Sequence, residues 1–160
     1  LDIIEGKTAH LFAAACRSGA LVAGGGSRQA RALAEFGLAW GMSFQITDDA
    51  LDLTSRTEDL GKPIGSDIQG GKITLPVIHA LRAASRADRE SLTRLLHLAS
   101  PNGQMDEVRA LLARYGAIDY ALDVARTYAS RAAAALDALP PSAARESLLA
   151  FTEFVLVRPK

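Results

Sequence analysis

The segment from Arg28 to Leu53 constrains the fold of this chain more than any other, because its packing residues recur every three or four positions. This spacing places them on one face of an α-helix. The members of that face are Leu33, Phe36, Trp40, Phe44, Thr47 and Leu51. A helix with one apolar stripe packs that stripe against other elements. The segment therefore predicts a helix that is largely buried.

Three aspartates, Asp48, Asp49 and Asp52, stand at the carboxyl end of this predicted helix. With Gln45 set at zero and ~100° per residue, the three carboxylates lie within about 60° of it. Gly41, one turn earlier on the same stripe, is expected to leave open space. Magnesium prefers oxygen ligands and is usually held by one or two carboxylates together with substrate phosphates. The stripe therefore predicts a metal site; a solvated acidic helix end is the alternative.

A Gly-rich segment, Asp59 to Lys72, follows the aspartates and is predicted to be a loop that carries Lys62 and Lys72. Glycines let a backbone adopt positive φ and approach a ligand closely. Lysine is a common phosphate binder, and Lys72 precedes a helix predicted to begin at Thr74, whose N-terminus would favour anions. A solvated loop is the alternative for this segment taken alone. Its position after the aspartates favours a site for metal and phosphate.

The rest of the chain also has helical periodicity, and no strand pattern bounded by turn residues occurs in the sequence. The first predicted helix, Leu1 to Ala23, ends at three glycines, and Ser27 is expected to cap the next helix. Later helices are predicted over Leu75 to Ala84, Ser85 to Leu98, Met105 to Tyr115, Ala117 to Leu139 and after Ser142. The fold class is therefore predicted to be all-α, and the length predicts a single domain over residues 1–160.

Composition indicates which kinds of binding partner and which cellular compartment are expected. The formal net charge is zero, which argues against a nucleic acid or an anionic membrane surface as partner. No apolar run reaches the ~20 residues that a transmembrane helix needs. Cys16 is the single cysteine, which excludes an internal disulfide and favours a reducing, cytoplasmic location. Because the sequence lacks an initiator Met and begins inside a helical pattern, a fragment of a longer protein is expected.

Taken together, these segments resemble the trans-isoprenyl diphosphate synthases, also called polyprenyl synthetases. The resemblance is detailed from Leu1 to about Leu81 and looser beyond, where the closing helices look closest to bacterial octaprenyl-type synthases. It rests on Gly6-Lys7-Thr8, Phe44-Gln45, Asp48-Asp49-x-x-Asp52, Leu60-Gly61-Lys62-Pro63, Gly65-x-Asp67 and Gly71-Lys72-x-Thr74-Leu75-Pro76. The family's first aspartate-rich motif is not in this sequence, so the chain resembles the C-terminal half of an antiparallel bundle of the isoprenoid synthase type.

The resemblance implies a prenyltransferase that condenses an allylic diphosphate with isopentenyl diphosphate, with Mg²⁺ as cofactor and a homodimer as the assembly. It implies that the metal ligands are Asp48, Asp49 and Asp52, and that the diphosphate is neutralised by Lys7, Lys62 and Lys72. It further implies that Thr8 forms a hydrogen bond near the allylic diphosphate and that Gln45 orients the site beside the metal. Phe44 is expected to pack against isopentenyl diphosphate.

Two other functions are compatible with the same residues. The chain could bind metal and diphosphate without turnover, as a fragment or as a subunit that needs the missing half. A metal-dependent phosphohydrolase is disfavoured, because no general base or nucleophile stands near the aspartates in the sequence. The isolated 160-residue chain is expected to be inactive in prenyl transfer and to associate with itself, because Leu33, Trp40 and Phe44 are expected to lose packing partners.

Overall fold

The computed structural model describes residues 1–54, 65–97 and 104–157. All regular elements in these ranges are helical, which confirms the predicted fold class. The elements are α1 (Asp2–Ile4), a π-helical segment π1 (Glu5–Ala9), α2 (His10–Val22), α3 (Ser27–Thr54), α4 (Ser66–Gln69), α5 (Leu75–Ala83), α6 (Arg86–Leu96), α7 (Met105–Arg114), α8 (Ala117–Ala135), a 3₁₀ turn (Leu136–Ala138) and α9 (Ala143–Val157). None of the helices described combines the length and the apolar character that crossing a bilayer requires.

The contacts divide the chain into two compact units. The first unit contains the described residues of 1–47 and 123–157, and the second contains those of 48–122, so α3 and α8 contribute to both. The core of the first unit is built around Phe36, Ala39, Ala132 and Leu136, and Leu33, Trp40 and Tyr128 pack against it. The core of the second unit includes Leu53, Ile68, Val77, Leu92, Val108 and Leu112.

Local capping residues set the helix boundaries where the sequence predicts them. The Ser85 hydroxyl accepts a hydrogen bond from the Asp88 N–H at 3.2 Å, and the Ser142 hydroxyl accepts one from the Arg145 N–H at 3.2 Å. Such side chains satisfy N–H groups that the first helical turn leaves unpaired. After α7, Gly116 adopts a φ of +58°, a left-handed conformation that commonly ends a helix at glycine.

The start of α3 differs from the prediction by one residue. The Gly26 N–H donates to Gln29 Oε1 at 3.0 Å, and the Gly26 carbonyl accepts from the Ala30 N–H at 3.0 Å. Gly26 therefore occupies the cap position, and Ser27 is the first helical residue. The expected cap by the Ser27 hydroxyl is therefore wrong, and the Gln29 side chain instead accepts the N–H of the cap residue Gly26, as the third residue of a capping box does.

The expectation of open space at Gly41 is wrong. A Cβ atom built at Gly41 would lie 2.8 Å from the Cα of Ala9, and one built at Gly37 would lie 2.5 Å from the carbonyl oxygen of Phe12. These two glycines, one turn apart, let the α3 backbone lie directly against the end of π1 and the start of α2. The physical role of Gly41 is a close helix contact within the first unit.

Candidate functional site

The three aspartates of the predicted metal site differ in their exposure at the end of α3. Asp49 is buried, with 7% of its surface exposed. Asp52 is half-buried and Asp48 is exposed. The carboxylate stripe therefore runs from the core of the second unit to its surface, so it is only partly accessible from solvent.

Asp52 accepts three hydrogen bonds from the start of α4. The Ser66 hydroxyl donates to Asp52 Oδ1 at 2.8 Å, and the Asp67 N–H donates to Asp52 Oδ2 at 3.1 Å. The Gly65 N–H donates to the Asp52 backbone carbonyl at 3.0 Å. The end of α3 and the start of α4 are thereby tied together through one residue.

The backbone conformation at the start of α4 favours glycine at position 65. Its φ is +69°, in the left-handed region that L side chains rarely adopt, and a Cβ there would collide with the Met105 side chain of α7. The glycine therefore allows the chain to turn beside the Met105 side chain and to bring Ser66 and Asp67 to Asp52.

A four-residue helix, α4, occupies part of the segment that the sequence predicts as a loop, and this part of the prediction is wrong. Gly71, at a φ of +74°, donates its N–H to the Ile68 carbonyl at 2.9 Å, and the Lys72 N–H donates to the Asp67 carbonyl at 2.8 Å. These two bonds form a Schellman motif, which ends the helix and reverses the chain. The reversal returns Lys72 to the side of Asp67.

The Lys72 ammonium lies 2.6 Å from Asp67 Oδ1. The hydrogen bond and the negative charge of Asp67 raise the pKa of Lys72, and the charges of Asp49 and Asp52 act in the same direction. Lys72 is thus a cation held beside the predicted metal ligands, with 59% of its side chain exposed. An exposed ammonium so placed can contact an anionic ligand.

Within the described ranges, no group of three or more His, Cys, Asp or Glu side chains is arranged to hold a metal ion. Asp48, Asp49 and Asp52 remain predicted ligands. Since magnesium completes its octahedron with waters and substrate oxygens where few carboxylates are available, this arrangement is compatible with a cation bound together with a diphosphate.

In the first unit, the predicted Lys7–Thr8 pair lies on π1, a distortion that the sequence does not predict. Lys7 is exposed and Thr8 is half-buried. The Thr8 hydroxyl donates to Gln45 Oε1 at 2.8 Å, so the structure joins two of the predicted site residues. Short π-helical segments inside α-helices are frequent at functional sites.

Phe44 belongs to an aromatic cluster of the first unit formed by Phe12, Trp40, Phe44 and Phe151. Its ring stacks on Trp40 at 5.2 Å between centroids and lies 5.8 Å from the ring of Phe12. The Trp40 Nε1–H donates to the Phe151 carbonyl at 2.9 Å. The expectation that Leu33, Trp40 and Phe44 lose packing partners is therefore wrong, because Phe12 and Phe151 pack on the aromatic rings and Leu33 packs against the core of the first unit.

Sequence reasoning assigned no role to Ser66 or Asp67, although both contact predicted site residues. A usable signal was present: Gly65 before them and Gly70-Gly71 after Ile68 are the residues that begin and end a very short helix. The other predicted phosphate ligand of this segment, Lys62, lies outside the described residues.

Comparisons with known proteins identify the family of this chain. Residues 1–114 match the family model for polyprenyl synthetase. The chain is 43% identical, over 99% of its length, to 48% of a short chain isoprenyl diphosphate synthase from Methanothermobacter thermautotrophicus. It is 35% identical, over 93% of its length, to 45% of an octaprenyl diphosphate synthase from Haemophilus influenzae. The chain thus spans about half the length of the curated relatives it matches.

A solved structure gives the same result for the fold. The chain superimposes with a TM-score of 0.91 and 38% identity on a polyprenyl synthase from Caulobacter crescentus, covering 99% of this chain and 48% of that one. That protein was crystallised with calcium and isoprenyl diphosphate. The described helices therefore have the all-α fold of the polyprenyl synthases. By sequence, by fold and by the family match over residues 1–114, this chain belongs to the polyprenyl synthetase family.

Proposed function

We propose that the protein to which this chain belongs is a trans-polyprenyl diphosphate synthase, which condenses an allylic diphosphate with isopentenyl diphosphate. The observation that carries the proposal is the arrangement around α4 in a member of this family. There, Asp52 is fixed by Ser66 and Asp67, and the Lys72 ammonium lies 2.6 Å from the Asp67 carboxylate. Carboxylates suit a hard cation and an ammonium suits a diphosphate, so both halves of a metal–diphosphate complex have ligands here.

The donor set fits magnesium. All the predicted ligand atoms are carboxylate oxygens, which hard divalent cations prefer, and Asp52 is held in one orientation by hydrogen bonds to both of its oxygens. Asp48, Asp49 and Asp52 would hold Mg²⁺. When bound, the ion would stabilise the negative charge on the departing diphosphate.

The residues of this chain bind and orient the reactants. Lys7, Lys62 and Lys72 neutralise diphosphate oxygens, and a preorganised cation of this kind favours the charge that develops as the leaving group departs. The bond between the allylic carbon and its diphosphate oxygen breaks. The double bond of isopentenyl diphosphate then forms the new carbon–carbon bond, and a proton leaves to give the extended diphosphate.

The first unit supplies the remaining proposed roles. Thr8 hydrogen-bonds near the allylic diphosphate, and Gln45, which accepts the Thr8 hydroxyl in the structure, orients the site. Phe44, a member of the aromatic cluster, packs against isopentenyl diphosphate. A homodimer and a cytoplasmic location are part of the proposal.

The test is magnesium-dependent binding of inorganic pyrophosphate by the purified chain, measured by calorimetry. Asp48→Ala changes an exposed carboxylate, so we expect the affinity to fall about tenfold or more while the melting temperature stays nearly constant. The matched control is Asp106→Ala, which removes a fully exposed carboxylate of α7. We expect that control to leave binding unchanged. Tight magnesium binding without pyrophosphate would contradict the proposed mode of metal binding.

A further inference from the structure

The Ser66 hydroxyl donates to a predicted metal ligand, and this contact carries an inference beyond the roles assigned above. We propose that Ser66 is a positioning residue, which fixes the Asp52 carboxylate in the orientation that binds the magnesium–diphosphate complex. The inference rests on the proposed function, because it assumes that Asp52 is a metal ligand.

Both oxygens of the Asp52 carboxylate are engaged by α4. The Ser66 hydroxyl reaches Oδ1 at 2.8 Å and the Asp67 N–H reaches Oδ2 at 3.1 Å, so the plane of the carboxylate is set from two sides. An ionised carboxylate offers about four lone-pair sites, so each oxygen keeps one that can face a cation. The geometry orients Asp52 without using up its capacity as a ligand.

The two hydrogen-bond donors to Asp52 differ in whether a substitution can remove them. The Asp67 donor is a backbone N–H, which every residue except proline retains. The Ser66 donor is a side chain, and among the residues that the structure describes it is the hydrogen-bond donor to Oδ1. Hydrogen bonds from outer residues fix ligating groups, and losing one typically weakens metal binding about 10–100-fold. The effect on affinity is therefore expected to be large.

Stability should depend on this hydroxyl much less. The Gly65 N–H still donates to the Asp52 carbonyl at 3.0 Å, and the Asp67 N–H still donates to the Asp52 carboxylate. The Schellman bonds at Gly71 and Lys72 also remain. Since these contacts hold α4 against α3 without Ser66, removing its hydroxyl releases the carboxylate rather than the helix.

The experiment measures pyrophosphate affinity of the 160-residue chain by calorimetry in excess magnesium chloride. Ser66→Ala is expected to weaken the affinity about tenfold or more. Ser66→Thr keeps the hydroxyl and is expected to restore most of it. The matched control is Ser85→Ala, which removes the hydroxyl that caps α6 in the same unit. That control should lower the melting temperature and leave pyrophosphate binding unchanged.

A double-mutant cycle separates positioning from a general structural effect. If Ser66 acts through Asp52, Ser66→Ala causes no further loss of affinity in an Asp52→Ala background, and the deficit of the single variant depends on magnesium concentration. If Ser66→Ala does not fold, Ser66→Cys, which keeps the size with a weak donor, takes its place. Unchanged affinity in Ser66→Ala, or fully additive losses in the cycle, would overturn the inference alone. A wild-type chain that binds no magnesium–pyrophosphate would overturn the proposed function, and this inference with it.

Discussion

At the scale of single residues, Asp67 contacts both a predicted metal ligand, Asp52, and a predicted phosphate-binding residue, Lys72. Its backbone N–H fixes the Asp52 carboxylate and its side chain holds the Lys72 ammonium. The Lys72–Asp67 pair lies at the surface, where solvent screens an ion pair and its contribution to stability is small. If a diphosphate binds Lys72 as proposed, it competes with a weak contact.

The first prediction is that Lys72→Ala weakens pyrophosphate affinity while the melting temperature barely moves. The physical reason is that the variant removes an exposed positive charge, which is proposed to bind the anion and does not pack in the core. Calorimetry in excess magnesium and a thermal unfolding curve measure the two quantities. The control is Arg86→Ala, which breaks a comparable exposed pair with Glu90 on α6 and should leave affinity unchanged. A large fall in melting temperature with unchanged affinity would favour a structural role for Lys72.

The raised pKa of Lys72 fixes the sign of its pH dependence. A cation whose pKa is raised on folding contributes stability that is fully present below its unfolded value, which is 10.5 here. That contribution is lost only as the pH rises through the higher folded value. Lys72 therefore stays charged through the neutral range, so its contribution to diphosphate binding should not titrate there.

At the scale of elements, two glycines of α3 determine how closely that helix lies against the start of the chain. The α3 backbone at Gly41 lies close to the backbone of Ala9, which is the last residue of π1. The same contact lies beside the hydrogen bond from Thr8 to Gln45. Because a Cβ at Gly41 would meet main chain rather than a flexible side chain, the neighbouring backbone would have to shift.

The second prediction is that Gly41→Ala destabilises the chain by about 1–3 kcal/mol, the usual cost of forcing an extra carbon into a packed interior. Denaturant unfolding measures this change. Gly19→Ala is the matched control, since it also adds a methyl group within a helix but meets no atom within 4 Å. Alanine is favoured over glycine there, so the control should gain up to about 1 kcal/mol. Equal behaviour of the two variants would show that the close contact carries no energy.

The third prediction concerns the link between α6 and α7. Asp88 accepts hydrogen bonds from the Tyr115 hydroxyl at 2.7 Å and from Arg114 Nη1 at 2.9 Å, and these bonds lower the pKa of Asp88. Asp88→Asn should therefore destabilise the chain at neutral pH. A lowered carboxyl pKa contributes stability above the unfolded value, 3.8 here, and that stability is lost as the pH falls through the folded value.

Unfolding curves for wild type and Asp88→Asn over this pH range test the third prediction. The difference in stability should shrink as the pH falls below the ordinary range of a carboxyl group. Asp123→Asn is a suitable control, because Asp123 is exposed and pairs with Arg126 of its own helix. A difference between wild type and Asp88→Asn that stays constant down to strongly acidic pH would contradict the assigned cause.

The elements also show why only part of the structure follows from sequence. The long helices and most of their ends could be predicted, because periodicity and caps such as Ser85 act within a few residues. The contact at Gly41 could not be predicted in this way, because it joins residues far apart in the chain, and no pattern in the sequence marks π1. In the site, the aspartates and Lys72 stood out by residue type, whereas Ser66 became significant only once α4 brought its hydroxyl to Asp52.

At the scale of the whole molecule, large apolar side chains remain exposed on the helices of the first unit. Val22 and Leu11 on α2 are 89% and 73% exposed, and Val157 on α9 is 73% exposed. Leu11 and Val22 are about three turns apart and share one face of α2. Contiguous exposed apolar surface of several hundred Å², on the order of the largest patch of a typical monomer, commonly marks an interaction surface. These helix faces are therefore where association is expected.

The last prediction is that the purified 160-residue chain associates with itself and does not elongate prenyl chains. Its exposed α2 face would be covered by a second copy, so light scattering after size-exclusion chromatography should give a mass above that of the monomer. Replacing Leu11 and Val22 together by Glu should shift the chain toward monomer, whereas Ile73→Glu, at a 46% exposed position of the second unit, should not. No elongation is expected with labelled isopentenyl diphosphate and an allylic primer. Ionisation requires positive charge around the whole diphosphate, and magnesium held by the three aspartates would supply it, together with Lys72, on one side. A monodisperse monomer would contradict the association, and measurable elongation would show that one aspartate-rich cluster is sufficient for turnover.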